Sequence, residues 1–218
     1  MLMITMELLN ELLPMLFRGL KLTLFIAFVG IIIGMILGAI SGYALQSKSK
    51  IAKTIAGIYI WIIRGTPIVV QALYVYFVIP KLIGLDFESV TAGCIVIALN
   101  SGAFISEIVR GALESIDPGQ REAGVCLGLT ERQTLFHIIV PPAFKSMLPA
   151  LFNQFIISVK DTSLLSIIVV NEATHEAQNY AALSFNTVPT YTTLALFYLV
   201  IISALMLLQR FVEKKLKK

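Results

Sequence analysis

The sequence predicts an all-α integral membrane protein with five transmembrane helices. Three observations carry that reading. Of the 218 residues, 57% are hydrophobic and 14% are charged, and the charged share is roughly half that of an average soluble domain. Mean hydropathy is +0.87. The uncharged stretches are long, and about 20 apolar residues suffice to cross a bilayer. A soluble globule of this composition would leave large apolar patches in water. Disorder is excluded too, because low hydrophobicity is its signature. The length allows roughly five or six spans.

The charge map defines the elements. Leu22 to Ser47 carries no charge, and Lys53 to Lys81 encloses only Arg64. Ser89 to Ser106 is uncharged. Ser146 to Val159 and Thr162 to Asn171 are uncharged on either side of Lys160-Asp161. Ala177 to Gln209 is uncharged. The predicted spans are therefore 20–44, 54–80, 89–112, 145–170 and 189–211, in a single domain over 1–218. The basic tail from Arg210 to Lys218 places the C-terminus in the cytoplasm. Five spans then put the N-terminus outside. Lys48, Lys50, Lys53, Arg110, Arg121, Arg132 and Lys145 all fall on the cytoplasmic side, and the outer segments 82–88 and 171–188 contain no Lys or Arg. Arg18 and Lys21 break the pattern. Pairing with Glu7 and Glu11 on a short amphipathic N-terminal helix would explain them. The acidic start and the long apolar run argue for a retained span, not a cleaved signal.

Net charge is 17 − 13 = +4. The cations sit beside apolar runs, so they read as topology control and not as a nucleic-acid surface. Cys94 and Cys126 form no CxxC or Cys/His cluster, and no metal site or disulfide is expected. His137 and His175 lack ligand-spaced partners. Gly30, Gly34, Gly38 and Gly42 recur every four residues, which lines one helix face and admits a close neighbour. Gly93 and Gly102 are expected to do the same.

The connection 113–144 is too structured for a plain linker. Asp117-Pro118-Gly119-Gln120 has a capping Asp, a Pro suited to the first helical position and a Gln able to bond back. That helix is expected to end at Gly128. Thr130-Glu131-Arg132-Gln133 repeats the capping box. The second helix is expected to reach Val140 and stop at Pro141-Pro142.

Within this loop, Glu122-Ala123-Gly124, then Gly128, then Ile138-Ile139-Val140-Pro141 resembles the EAA loop of binding-protein-dependent ABC importer permeases. Gly124 replaces the pattern's second Ala, and Val140 replaces Leu. Arg64-Gly65-Thr66-Pro67 with Gln71 is similar to the RGTP segment of the polar amino acid importers. Asn100-Ser101-Gly102-Ala103 with Glu107 and Arg110 resembles their third-span motif. Lys160-Asp161-Thr162-Ser163-Leu164 is similar to a segment of the glutamine permease group. The motifs lie in order over about residues 16–215.

The resemblance implies an ABC type I importer permease core, like that of the methionine importer, in a bacterial inner membrane. It implies two permeases forming the pathway, two cytoplasmic ATPases and a separate amino-acid-binding protein outside. ATP and magnesium would sit on the ATPase, since this chain carries no GxxxxGK[ST] and no cofactor is expected in it. Glu122, Ala123, Gly124, Gly128 and Pro141 would form the ATPase-coupling loop. The expected substrate is a polar amino acid, with glutamine favoured, and a homodimer is favoured over a heterodimer. An ion-coupled secondary transporter is the alternative, but it leaves the capped helix pair without a purpose.

Buried polar groups in a span are candidate function by default. A rise of about 1.5 Å per residue puts Arg64 and Asn100 each about 16 Å from a membrane edge. Thr66, Gln71, Asn100, Ser101, Gln154, Lys160 and Asp161 are the candidate substrate residues, and Thr66, Gln71, Asn100, Lys160 and Asp161 are expected around one cavity. Gly65 and Pro67 predict a broken second span with free backbone groups. Asp161 or an exposed carbonyl would receive the substrate ammonium. Lys160, or amides near Thr66, would receive its carboxylate. The neutral Gln154 favours an uncharged side chain. Arg64 reads equally as a structural ion-pair partner, and Glu107 with Arg110 as a local i, i+3 pair.

Overall fold

A computed structural model describes residues 2–216, with side chains for 6 and 8–215 among them. The chain runs through α1 (Leu2–Gln46), α2 (Lys50–Gly65), α3 (Ile68–Leu73), α4 (Ile79–Ile83), α5 (Ser89–Glu114), α6 (Pro118–Cys126), α7 (Glu131–Thr134), α8 (Val140–Asp161), α9 (Ala173–Ser184) and α10 (Thr187–Leu216). Four helices are long and apolar enough to span a membrane. The bent pair Lys50–Gly65 and Ile68–Ile83 supplies a fifth crossing.

The frame is a parallel seam between α1 and α5. A Cβ on Gly30 would meet Ile97, one on Gly34 would meet Ser101, and one on Gly38 would meet Ile105, each within 2.5–2.8 Å. On Gly42 it would meet the Ser106 carbonyl at 2.7 Å. Contacts advancing four residues at a time on both helices mean that the two run in the same direction. Glycine is required because the α5 surface already fills the space a side chain would take. Above the seam, Ile26, Val96, Leu165 and Ile168 form a buried cluster with Ala72 and Val75 of the second span.

The first helix departs from expectation. There is no separate amphipathic helix before the span: α1 runs unbroken for 45 residues through Pro14. Leu8, Leu12 and Leu16 form an i, i+4 stripe buried against Ala173 and Ala177 of α9 and Leu194 and Phe197 of α10. That packing carries the helix past the proline. Glu11 accepts a hydrogen bond from Tyr180 (2.9 Å). Neither Arg18 nor Lys21 forms an ion pair among the described side chains, and Glu7 lies outside them. The two cations border a shallow pocket with Asn171 and Glu176.

Two further boundaries differ. Pro141-Pro142 does not end a helix. Pro141 sits in the first turn of α8, where a missing amide costs nothing, and a π turn over Leu135–Ile139 joins α7 to α8. The span that begins there ends in a tightened 3₁₀ segment, Thr162–Ile168, closed by Val169 at φ 60°. The segment after it holds α9, a helix that the charge map does not predict.

Candidate functional site

The centre of the site is the break in the second span. Thr66 precedes proline and is extended (φ −120°, ψ 141°), because proline excludes the helical region for its predecessor. The chain turns by 107° there. The freed acceptors go to one side chain. Gln71 Nε2 donates to the carbonyls of Ile63 (2.7 Å) and Thr66 (3.0 Å) and lies 3.0 Å from Thr66 Oγ1. Thr66 Oγ1 donates in turn to the Ile62 carbonyl (2.9 Å). Asn100 Nδ2 of α5 donates to Gln71 Oε1 (3.4 Å). Thr66, Gln71 and Asn100 are therefore one hydrogen-bonded chain, and Gln71 staples the break as well as bordering it.

Beside it, Ser101 of α5 and Ser158 of α8 share a hydrogen bond of 3.0 Å. Gln154 lies one turn below Ser158 and is 4% exposed. Its amide has no hydrogen-bond partner among the described residues. Asp161 is half-buried at the end of α8, whereas Lys160 is exposed. Lys160 borders a groove of about 600 Å³ with Ser163, Thr174, Tyr191 and Tyr198. Thr66, Gln71 and Asn100 do not line that groove. The single cavity expected for Thr66, Gln71, Asn100, Lys160 and Asp161 thus resolves into two polar groups on different faces of α8.

The depth expected for Arg64 is also corrected. Arg64 Nη1 lies 3.4 Å from Glu107 Oε1, and Arg110 Nη2 lies 2.6 Å from Glu107 Oε2. Arg110 also reaches Glu114 (3.2 Å). The Arg64 guanidinium covers the Phe104 ring at 5.5 Å. Glu107 is seven residues beyond Asn100 on α5, about 10 Å along the axis. Arg64 thus meets α5 about two turns from Asn100, whereas Thr66, two residues on, joins Asn100 through Gln71. Arg64 is the ion-pair partner that the sequence left open, in a network that also contains the expected Glu107–Arg110 pair.

The long loop carries the second candidate surface. Asp117 caps α6 by accepting from the Gly119 amide (2.7 Å). Gly128 closes the segment at φ +78°, a conformation that suits glycine. The capping box at Thr130 and Gln133 is complete. Gly124 presses on Thr134, where an added Cβ would lie 2.6 Å from Cγ2. Lys48, at the α1–α2 corner, holds Glu131 at 2.9 Å. Glu122, Ala123, Val125 and Leu127 face outward on α6 and its end, leaving a mixed polar and apolar surface without a partner in this chain.

Residues 30–218 match the family described as "Binding-protein-dependent transport system inner membrane component". The chain belongs to that family. This inner membrane component is 42% identical to the glutamine transport system permease protein GlnP of Escherichia coli (strain K12) over 205 residues, 94% of each chain. It is 34% identical to the arginine transport system permease protein ArtQ of Bacillus subtilis (strain 168), covering 94% of this chain and 93% of that one. Among solved structures, it matches a chain of an amino acid ABC transporter crystallised with histidines at a TM-score of 0.88 and 32% identity, covering 95% and 96%. A chain of the MetNI methionine ABC transporter in an inward-facing form matches at a TM-score of 0.80 and 18% identity, covering 94% and 97%. That likeness speaks to the fold, which is the ABC type I importer permease core.

One buried group of this inner membrane component escaped the sequence reading. Glu172 is 0% exposed. Its carboxylate caps α9 by accepting from the amides of Thr174 and His175, both at 2.8 Å, and accepts from the Tyr198 hydroxyl of α10 at 3.1 Å. Burial pushes its pKa up to about 7 against the opposing hydrogen bonds. The backbone of Glu172 and Ala173 passes so close to Gly19 that a Cβ there would lie 2.5 Å from the Ala173 amide nitrogen. The clasp joins α1, α9 and α10. The sequence signal was present: Glu172 followed by Ala173, Ala177 and Ala181 at helical spacing.

Proposed function

We propose that this chain is the permease subunit of an ATP-binding-cassette importer for polar amino acids, with glutamine as the substrate. Likeness over 94% of the chain to two amino acid permeases supports the class, and the observation that carries the choice of side chain is the amide of Gln154, a 4% exposed residue with no hydrogen-bond partner among the described residues. It is neutral and able both to donate and to accept, so it suits a carboxamide better than a cationic or anionic group. Thr66, Gln71, Asn100, Ser101 and Gln154 line the substrate path at the break, and Lys160 and Asp161 flank it at the end of α8. The ammonium goes to Asp161 or an exposed carbonyl of the break. The carboxylate goes to Lys160 or amides near Thr66.

The loop end, with Lys48, Lys50, Lys53, Arg121, Arg132 and Lys145, faces the cytoplasm, as does the C-terminus, and the N-terminus lies outside. The whole chain is one transmembrane domain, and 113–144 is its coupling loop. ATP and magnesium act on two copies of a separate ATPase. Glu122, Ala123 and Gly124 on α6 meet that ATPase, while Gly128 and Pro141 set the ends of the lever. Gly124 against Thr134 makes α6 and α7 move together, and Lys48–Glu131 passes the push to the α1–α2 corner. A homodimer gives one substrate site per subunit, and an outer amino-acid-binding protein delivers the cargo.

The test is reconstitution with the ATPase and binding protein, reading ATP hydrolysis across a panel of amino acids. Glutamine should stimulate most, and Asp161→Ala should abolish the stimulation. Substrate uptake by the chain alone, driven by an ion gradient, would overturn the reading.

A further inference from the structure

A large groove lies apart from the polar break. It measures about 800 Å³ and runs along the loop-end half of α1, α5 and α8. Ile36 and Ile40 of α1, Ile105 and Val109 of α5, and Met147 and Leu151 of α8 line it. Polar character appears at its mouth, where Tyr43 and Arg132 border the opening. Arg132 has no ion-pair partner among the described residues. Its neighbour Glu131 is held by Lys48 at 2.9 Å and also feels the charge of Arg121. Lys48 neutralises Glu131, which leaves as cations Arg132, a lining residue of the groove, and Arg121, within electrostatic reach of Glu131.

The structure assigns this groove to an anionic phospholipid, with an acyl chain along the Ile and Met lining and the headgroup phosphate on Arg132. An apolar trough under an unneutralised guanidinium complements a molecule that is apolar at one end and anionic at the other. Basic pockets between helices on the cytoplasmic side hold acidic headgroups in this way, and guanidinium binds phosphate in a two-pronged geometry. A helix from a second copy of the chain would cover the apolar lining but leave the cations unmatched. A free anion would match the cations but leave the trough unfilled. Arg132 of α7 and Leu135 and Phe136 of the π turn also line the groove, so its occupant would brace the lever that the loop forms.

The experiment takes the full chain in its complex, purified from vesicles of phosphatidylcholine mixed with phosphatidylglycerol. Retained lipids are identified by native mass spectrometry. The wild type should retain phosphatidylglycerol well above its share in the vesicle. Arg132→Gln should bring the retained ratio down to that of the vesicle while lipid stays bound. Ala39→Phe, which fills the groove wall, should reduce the retained lipid itself. Equal ratios in wild type and Arg132→Gln would overturn the proposal. So would a change of oligomeric state with Ala39→Phe at unchanged lipid, which would assign the groove to a second copy. Protection against heat by inorganic phosphate equal to that by phosphatidylglycerol would overturn it too, by reducing the site to an anion contact. None of these readouts depends on transport.

Discussion

The α1–α5 seam and the α2–α3 break lie side by side and are built on opposite principles. The seam is continuous, and its glycines let the surface of α5 press on the backbone of α1 over about three turns. The break is polar, and its freed carbonyls depend on one side chain, Gln71. A seam of backbone contacts has one arrangement, because interiors are close-packed. A staple made by one amide can be exchanged for another hydrogen-bonding partner at small cost, since such exchanges are nearly balanced. The difference separates a fixed frame from a polar break whose hydrogen bonds can be exchanged.

The strongest way to break that comparison is to load the frame. Gly38→Leu puts a branched side chain where even a Cβ would lie 2.6 Å from Ile105 and 3.0 Å from the Gly102 carbonyl. The cost should reach or exceed ~3 kcal/mol, and the chain should fail to give a monodisperse peak in detergent. Normal yield and melting temperature would show that the seam is not rigid.

Gln71→Leu tests the other side. It orphans the Ile63 and Thr66 carbonyls, at about 1–3 kcal/mol. The melting temperature should fall modestly, while amino-acid-stimulated ATP hydrolysis should be lost. Full stimulation would mean that the bend does not shape the substrate path.

Glu172 asks whether the outer clasp belongs with the frame. Its folded pKa of about 7 lies above the ordinary 4.5. The folded state therefore holds a proton that the unfolded chain releases. The stabilisation is complete below about 4.5 and is lost as pH rises to about 7. Melting temperature measured across that window should fall with pH in the wild type. Glu172→Gln should flatten that slope and cost about 1 kcal/mol as a weakened cap. A wild-type curve that rises over the window would show the carboxylate to be stabilised in its charged form.

Arg64→Gln should do least to stability, roughly 0.2–1 kcal/mol, because the network with Glu107 is partly solvated. It sharpens the comparison by function: unchanged substrate dependence would keep Arg64 in the frame, and altered selectivity would move it to the break.

Much of this was legible in the sequence because it is local or periodic. Apolar runs set the five crossings, four-residue glycine spacing set a packing face, and the residues Thr130 and Gln133 wrote their own capping box. Pro67 wrote the break. Pro141 was misjudged because its effect depends on where a helix begins. The first turn of α8 needs no amide, and the π turn before it absorbs the register.

Which residues meet across the bundle was another matter. That Gln71 would staple the break and that Arg64 would meet Glu107 both depend on the 107° bend of the second span. Pairings between residues far apart in the chain depend on the angle at which helices cross, and no local pattern encodes that angle. The sequence by itself determined the solvent, the number of crossings and the points where helices start, because these follow from burial cost and backbone chemistry residue by residue. Only the tertiary structure decided which buried polar groups satisfy one another and which, like Gln154, find no hydrogen-bond partner among the described residues.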